Sequence, residues 1–110
     1  MKSHLYLISF YIPVNDAEKV KEALFAEGAG QIGEYAGCAW HTLGQGQFFP
    51  LPGSHPALGK VNEYSRVTEY KVEMVCEEKK LKPVIQKLLK THPYETPAYA
   101  IQKMMTLEDI

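Results

Sequence analysis

Hydrophobic and polar residues alternate most regularly in the stretch from Val67 to Cys76. One parity holds Tyr70, Val72, Met74 and Cys76, and the other holds Glu69, Lys71 and Glu73. A period of two residues predicts a β-strand with one buried face. The stretch Leu5–Ile12 is rich in β-branched and aromatic residues and also predicts a strand, but apolar residues occupy both of its faces.

Two other segments repeat their apolar residues at helical spacing. The first follows Asn15 or Asp16, either of which can cap a helix, and ends near Glu27, where Gly28 suits the C-terminal cap. The second runs from about Glu78 to Lys90, and its apolar stripe consists of Leu81, Val84, Ile85, Leu88 and Leu89. Both patterns predict amphipathic helices that pack one face against a sheet.

Two weaker strand signals complete the order of elements. The stretch Tyr35–Leu43 is strand-like, and Gly44–Gly46 after it is typical of a hairpin turn. The stretch Ala98–Met104 predicts a last short strand. The order strand, helix, strand, strand, helix, strand favours an α+β ferredoxin-like plait, βαββαβ. We therefore expect a four-stranded antiparallel sheet with a hairpin extension and two helices on one face.

The first predicted strand raises the question of what covers the second face of this sheet. Two helices on one side can cover either Tyr6, Ile8, Phe10 and Ile12 or Leu5, Leu7 and Tyr11, but not both sets. Buried apolar area contributes roughly 25 cal/mol per Å², and large exposed apolar patches usually mark interfaces. We expect the uncovered face to be buried against other copies of the chain in a homo-oligomer.

Composition and charge restrict the partners. The 110 residues fit one domain, 1–110, and the net charge is -1 with no basic run longer than Lys79-Lys80. Nucleic-acid binding needs a basic surface, and a membrane span needs ~20 apolar residues, so neither partner is expected. Met1–His4 does not open a signal peptide, which favours a cytoplasmic protein. Cys38 and Cys76, each in an apolar, strand-like stretch, are expected to be buried free thiols.

Few residues combine into a catalytic or metal-binding pattern. Gly28–Gly33 matches GxGxxG, but it follows a helix and leads to a strand, the reverse of the order in dinucleotide-binding folds. We interpret it as a glycine-rich helix exit. The four histidines form neither HxH nor HExxH, and no nucleophile with a nearby base can be named. No cofactor is predicted, and an enzyme of unknown reaction is the least favoured interpretation.

The segment THPYETPAYAIQ, residues 91–102, holds the candidate ligand-binding residues His92, Tyr94 and Glu95. Prolines at 93 and 97 keep the residues before them out of the helical region, so the segment can simply be a stiff connector. Alternatively, its side chains bind a small molecule or take part in an interface. His92 and Glu95 are also the candidate ligands of a divalent metal, although a tetrahedral site needs three or four donors.

Three segments occur in the order found in one known family: GAGQIGEYAGCAW, GQGQFFPLPGSHPALG and THPYETPAYAIQ. Together they resemble the insert domain of the Nif-three-like family, also called the YqfO family, over roughly Tyr6 to Met104. The resemblance implies a fold related to CutA and the PII signalling proteins, a plait that typically forms trimers through its sheets. Family inserts tend to read HPYEEPAYD, where this chain has Thr96 and Ala100, which weakens a chemical role for those carboxylates.

Full-length members of that family also carry a flanking domain with two metals bound by histidines and acidic residues. The motifs of that domain do not occur in these 110 residues, so we expect a stand-alone insert domain and carry over no hydrolase or cyclohydrolase activity. The favoured function is a non-catalytic, self-associating binding or regulatory module, with a trimer as the favoured assembly. The alternative is a small-molecule or divalent-metal sensor with its site at subunit boundaries, formed by the HPYE segment and the proline-rich segment.

Overall fold

The computed structural model describes residues 4–110, which contain one four-stranded antiparallel sheet, two α-helices and two short 3-10 helices, Val14–Asp16 and Leu107–Asp109. Residues 1–3, on which the expectation of no signal peptide partly rests, lie outside the described residues. The elements follow in the order β1 Leu5–Pro13, α1 Ala17–Ala26, β2 Trp40–Phe48, β3 Ser65–Glu77, α2 Glu78–Thr91 and β4 Tyr99–Met104. The strands lie in the order β2-β3-β1-β4. This topology confirms the predicted ferredoxin-like plait.

The core lies between the two helices and one face of the sheet. Ile8 pairs with Met74 and Phe10 with Val72 across β1 and β3, so these side chains share a face. All of them are buried, together with Val20 and Leu24 of α1 and Val84 and Leu88 of α2. The alternation in β3 and the helical stripes therefore predicted most of the core correctly, but Leu89 of the predicted α2 stripe is exposed. No helix in residues 4–110 is long and apolar enough to cross a membrane.

The second strand differs from the prediction. Gly44 and Gly46 do not form a turn, because they lie inside β2 and pair with Glu69 and Val67 of β3. The strand begins five residues after Tyr35, and Cys38 lies before it, half-buried in an irregular segment, whereas Cys76 is buried in β3. The predicted turn is wrong because glycine is compatible with extended backbone as well as with turns.

The hairpin extension is present, and its chain reversal lies further along the sequence. β1 pairs with β3 only from Glu69 onwards, whereas β2 continues to pair with β3 as far as Ser65. Residues 45–48 and 65–68 therefore form a two-stranded ribbon that extends past β1. Residues 49–64, which we call the proline loop, connect its ends. Within this loop the amide of Asn62 donates to the carbonyl of Pro50 at 2.8 Å, which holds the loop closed.

The face of the sheet opposite the helices, which we call the open face, is mixed in character. It carries the apolar residues Leu5, Leu7, Tyr11, Trp40 and Val75 beside the polar residues Ser9, Lys71 and Glu73. Trp40 is 68% exposed and Tyr11 43% exposed. Neither helix reaches this face, so two large aromatic side chains remain in contact with solvent in a single copy of the chain.

Candidate functional site

A wide concave site lies where the open face meets two loops. It is a cleft of about 970 Å³. Its floor is the part of β2 and β3 around Gly44, Gly46 and Glu69, and one wall is the proline loop. The other wall is formed by residues 92–98, which we call the HPYE loop and which contribute Tyr94, Glu95, Thr96 and Ala98. Volumes of about 300–1,000 Å³ are typical of small-molecule sites.

Glu69 is the buried charged residue of this cleft. It lies on β3 opposite Gly44, and its carboxylate leans over Gly46, where the absent side chain leaves room for it. The residue is only 7% exposed. The Tyr94 hydroxyl donates a hydrogen bond of 2.6 Å to its Oε2. A buried carboxylate needs such a donor, since an unsatisfied buried charge is strongly destabilising.

Tyr94 acts in this pair as a hydrogen-bond donor. Burial raises the pKa of its phenol well above the ordinary value, and the hydrogen bond and negative charge of Glu69 raise it further. The phenol therefore keeps its proton at neutral pH. Its ring also lies 5.7 Å from that of Phe48, centroid to centroid, so the HPYE loop is held against the ribbon by both an apolar and a polar contact.

His92 supports the HPYE loop from its buried side and is not among the cleft-lining residues. Its Nδ1 accepts a hydrogen bond of 3.1 Å from the amide of Tyr94, which leaves Nε2 to donate to the carbonyl of Tyr11 at 2.7 Å. Burial lowers the pKa of the His92 imidazole below its ordinary value. The neutral ring thus connects the HPYE loop to β1 and fixes the position of Tyr94.

Glu95 joins the two walls of the cleft. Its Oε1 accepts a hydrogen bond of 3.1 Å from the backbone amide of His55 in the proline loop. Of the three candidate residues from the sequence, the structure brings Tyr94 and Glu95 to the cleft and uses both ring nitrogens of His92 for backbone contacts. Among residues 4–110, no three side chains of the metal-binding types form a group that could hold a metal ion.

Sequence reasoning missed the part that β2 and β3 contribute to the site. Glu69 reads as an ordinary solvated charge on a strand face, because its burial depends on Tyr94, which is 25 residues away. The signal that could have indicated the site is the spacing of Gly44 and Gly46. In a strand, residues two apart share a face, so two glycines there leave an open floor.

No protein-family profile matches the chain. Among curated relatives, the "GTP cyclohydrolase 1 type 2 homolog" of Bacillus subtilis is 43% identical over 94 residues, which cover 86% of this chain and 25% of the relative. The homologue of the same name from Mycobacterium tuberculosis is 41% identical over 91 residues, which cover 83% of this chain and 24% of the relative. The chain therefore spans about a quarter of the length of these relatives.

Solved structures of several proteins share this fold. A Bacillus cereus protein related to NIF3 superposes with a TM-score of 0.81 at 29% identity, over 96% of this chain and 27% of that chain. The divalent ion tolerance protein CutA1 from Ehrlichia chaffeensis gives a TM-score of 0.70 at 16% identity, over 99% of this chain and 89% of that chain. GlnK of B. subtilis gives a TM-score of 0.59 at 13% identity, over 93% of this chain and 86% of that chain.

At such low identity, the likeness to CutA1 and GlnK shows the fold alone, and it confirms the CutA- and PII-like plait. The B. cereus structure and the curated relatives are more informative, because their identity is higher and extends over most of this chain. They confirm the resemblance to the Nif-three-like family, and this chain is the homologue of a segment that makes up about a quarter of those curated relatives.

Proposed function

We propose that this chain is a non-catalytic, self-associating binding module whose ligand site is the cleft between the open face, the proline loop and the HPYE loop. The single observation that carries the proposal is the cleft of about 970 Å³ with the buried Glu69 at its floor. The contact of Glu95 with His55 joins its two walls, and the contact of Tyr94 with Glu69 joins one wall to the floor, so the site is formed before any ligand arrives.

The chemistry of the cleft favours binding over catalysis. Tyr94 has a raised pKa and keeps its proton, so it is a poor general base. His92 has a lowered pKa and uses both ring nitrogens for backbone hydrogen bonds, so it is not free to transfer a proton to a ligand. The name of the relatives refers to a cyclohydrolase, but this chain spans about a quarter of them, and we do not extend that activity to it.

A dye that fluoresces in apolar surroundings tests the site directly. We expect Nile red, a neutral dye, to bind the wild-type chain and to lose most of its binding in Gly44→Leu. A side-chain atom added at Gly44 meets nothing within 4 Å, and its backbone is not in the left-handed region, so leucine can extend into the cleft without backbone strain.

Thr68→Leu provides the matched control for the dye experiment. Thr68 is exposed on the same ribbon but on its opposite face, and it does not line the cleft. This variant should bind the dye as the wild type does. Equal dye binding by Gly44→Leu and the wild type, with both folded by circular dichroism, would exclude the cleft as the binding site.

Self-association is supported by the exposed aromatic residues of the open face and by the free edge of β2. β2 is one of the two edge strands of the sheet, so its outer side pairs with no other strand within residues 4–110. Such an edge invites pairing with another chain, and apolar side chains beside it favour association. Sedimentation equilibrium should give a mass that is a multiple of the 12.4 kDa chain. A single species with the mass of one chain, at micromolar concentration, would contradict self-association.

A further inference from the structure

We propose that the cleft binds a small organic cation, an ammonium or amidinium group on an aromatic or aliphatic body, and that the Glu69 carboxylate anchors its charge. This inference rests on the proposed function and adds the chemical class of the ligand. It depends on three features of the cleft: a carboxylate that no cation neutralises, aromatic walls, and a volume suited to a molecule larger than a metal ion.

The Glu69 carboxylate has capacity for one more partner. Its Oε2 accepts the Tyr94 hydroxyl, whereas its Oε1 has no hydrogen bond to any described residue and is not fully buried, so a ligand can reach it. None of the lysine, arginine or histidine side chains in residues 4–110 forms a salt bridge with it. A carboxylate that is 7% exposed and lacks a cation is unfavourable, so a cationic ligand would restore the missing charge pair.

The remaining charges of the cleft favour the same sign of ligand. Glu73 and Glu95 also line it, and Lys71 is its one cationic side chain among the described residues. Three carboxylates against one ammonium leave the cleft with an excess of two negative charges. Complementary potential of this kind attracts cations and repels anions.

The walls suit a cation that carries an apolar body. Tyr11, Phe48, Phe49 and Tyr94 all line the cleft, and the faces of aromatic rings attract cations. Apolar residues of the proline loop, such as Leu51 and Leu58, complete the wall. At about 970 Å³ the cleft is far larger than a metal ion needs, and Gly44 keeps the floor beside the Glu69 carboxylate free of side chains.

Three probes of one shape separate charge from size: 2-phenylethylammonium, neutral 2-phenylethanol and anionic 3-phenylpropionate. Their binding to the full chain is measured by calorimetry and by displacement of Nile red. We expect the cation to bind at least about tenfold more tightly than the alcohol, because the ammonium pairs the buried negative charge whereas the hydroxyl only donates a hydrogen bond to it. The anion should bind more weakly than either.

Glu69→Gln tests the anchor, because glutamine keeps the shape and an oxygen for Tyr94 but removes the charge. This variant should lose the preference for the cation and still bind Nile red, whereas Glu22→Gln, on the exposed side of α1, should match the wild type. An unchanged preference in Glu69→Gln would overturn the inference. Binding of Nile red without binding of the cation would also overturn this inference, but it would leave the proposed function intact.

The same experiment separates a free ligand from a side chain of a second copy. A lysine or arginine of a neighbouring subunit has the same chemistry as the proposed ligand. If such a side chain fills the cleft, affinity for the cation will fall as protein concentration and association rise, and the small-molecule inference will be wrong. Affinity that is independent of protein concentration supports it.

Discussion

The Tyr94 hydroxyl is the one hydrogen-bond donor that the described residues offer to the Glu69 carboxylate. Tyr94→Phe removes this donor and leaves the ring in place, so we expect a loss of about 1.5–3 kcal/mol in the free energy of unfolding. Urea unfolding followed by circular dichroism measures it. Tyr99→Phe, a substitution at a residue 41% exposed on β4, is the matched control.

The Glu69→Gln background shows whether this loss of stability comes from the hydrogen bond between Tyr94 and Glu69. In the Glu69→Gln background, Tyr94→Phe should cost less, because the hydrogen bond then joins two neutral groups. Equal effects of Tyr94→Phe and Tyr99→Phe on stability would contradict a stabilising role for the hydrogen bond between Tyr94 and Glu69.

The buried imidazole of His92 makes stability depend on pH. Burial lowers its pKa in the folded state below the value of about 6.5 of an unfolded chain. Between these two values the unfolded chain binds the proton more readily, so the free energy of unfolding increases with pH there. The contribution is fully present above about pH 6.5 and is lost as the pH falls towards the lowered folded-state pKa.

His92→Asn removes the titrating imidazole. Urea unfolding of the wild type and of this variant between pH 7.5 and 5.5 therefore isolates the contribution of His92 to the pH dependence of stability. The wild type should lose stability over this range by more than the variant does. The variant should also be less stable at pH 7.5, because His92 connects the carbonyl of Tyr11 with the amide of Tyr94. Parallel pH profiles of the two proteins would show that His92 does not titrate differently in the two states.

Two glycines of β2 have different neighbours although they lie two residues apart. A Cβ at Gly46 would collide with the Glu69 carboxylate, whereas a Cβ at Gly44 meets nothing within 4 Å. Gly46→Ala should therefore destabilise the fold by about 1–3 kcal/mol, because the displaced carboxylate loses its position beside Tyr94. Gly44→Ala should be neutral or stabilising by up to about 1 kcal/mol, since glycine weakens a strand.

Thermal unfolding of the two alanine variants measures this difference, and removal of the colliding group provides the control. In a Glu69→Ala background, Gly46→Ala should lose most of its effect. Similar stabilities of Gly44→Ala and Gly46→Ala in the wild-type background would mean that the Glu69 side chain does not occupy the position described.

Local periodicity was enough to predict β3 and both helices, because each of these elements buries a regular stripe of its own side chains. The β-branched and aromatic content of β1 predicted that strand. The position of residues 28–33 after a helical pattern identified them as a helix exit, and Gly28 and Gly30 have positive φ angles of 104° and 79°. β2 was misplaced because its residues 40–45 are all exposed, so no buried stripe marks it.

The candidate site was only partly predictable for a related reason. Tyr94 and Glu95 stand out because two prolines fix their loop, but Glu69 acquires its burial from a contact 25 residues away along the chain. Such a contact follows from tertiary packing, which a local pattern does not contain. The resemblance to the Nif-three-like family identified the three segments in order, and two of them, residues 44–59 and 91–102, contribute most of the cleft.

The molecule as a whole is elongated, 50 × 22 × 22 Å, because the ribbon extends past the compact half of the sheet. In this shape the cleft and the apolar part of the open face are neighbours, with Tyr11 in both. A second copy seated on Leu5, Leu7 and Trp40 would therefore lie beside the cleft. The proposed self-association and the proposed binding would then affect each other through a shared boundary.

Trp40 reports on this boundary because it is the chain's single tryptophan and is 68% exposed on the open face. If copies associate through that face, its fluorescence emission should move to shorter wavelength as the protein concentration rises, since the indole leaves water. Trp40→Ser should weaken association, because burial of a large aromatic side chain contributes strongly to interface stability. Leu89→Ser, which removes an exposed apolar side chain from α2, should leave association unchanged.

Light scattering on the same dilution series measures the mass of the assembly, which can then be compared with the Trp40 emission. A shift in emission that follows the rise in mass places Trp40 in the interface, and addition of the cation should then alter the midpoint of both curves together. Emission that stays constant while the mass rises would place the interface on another surface, such as the helical side, and would contradict association through the open face. The cleft would then lie apart from any subunit boundary, and cation binding would leave the assembly unchanged.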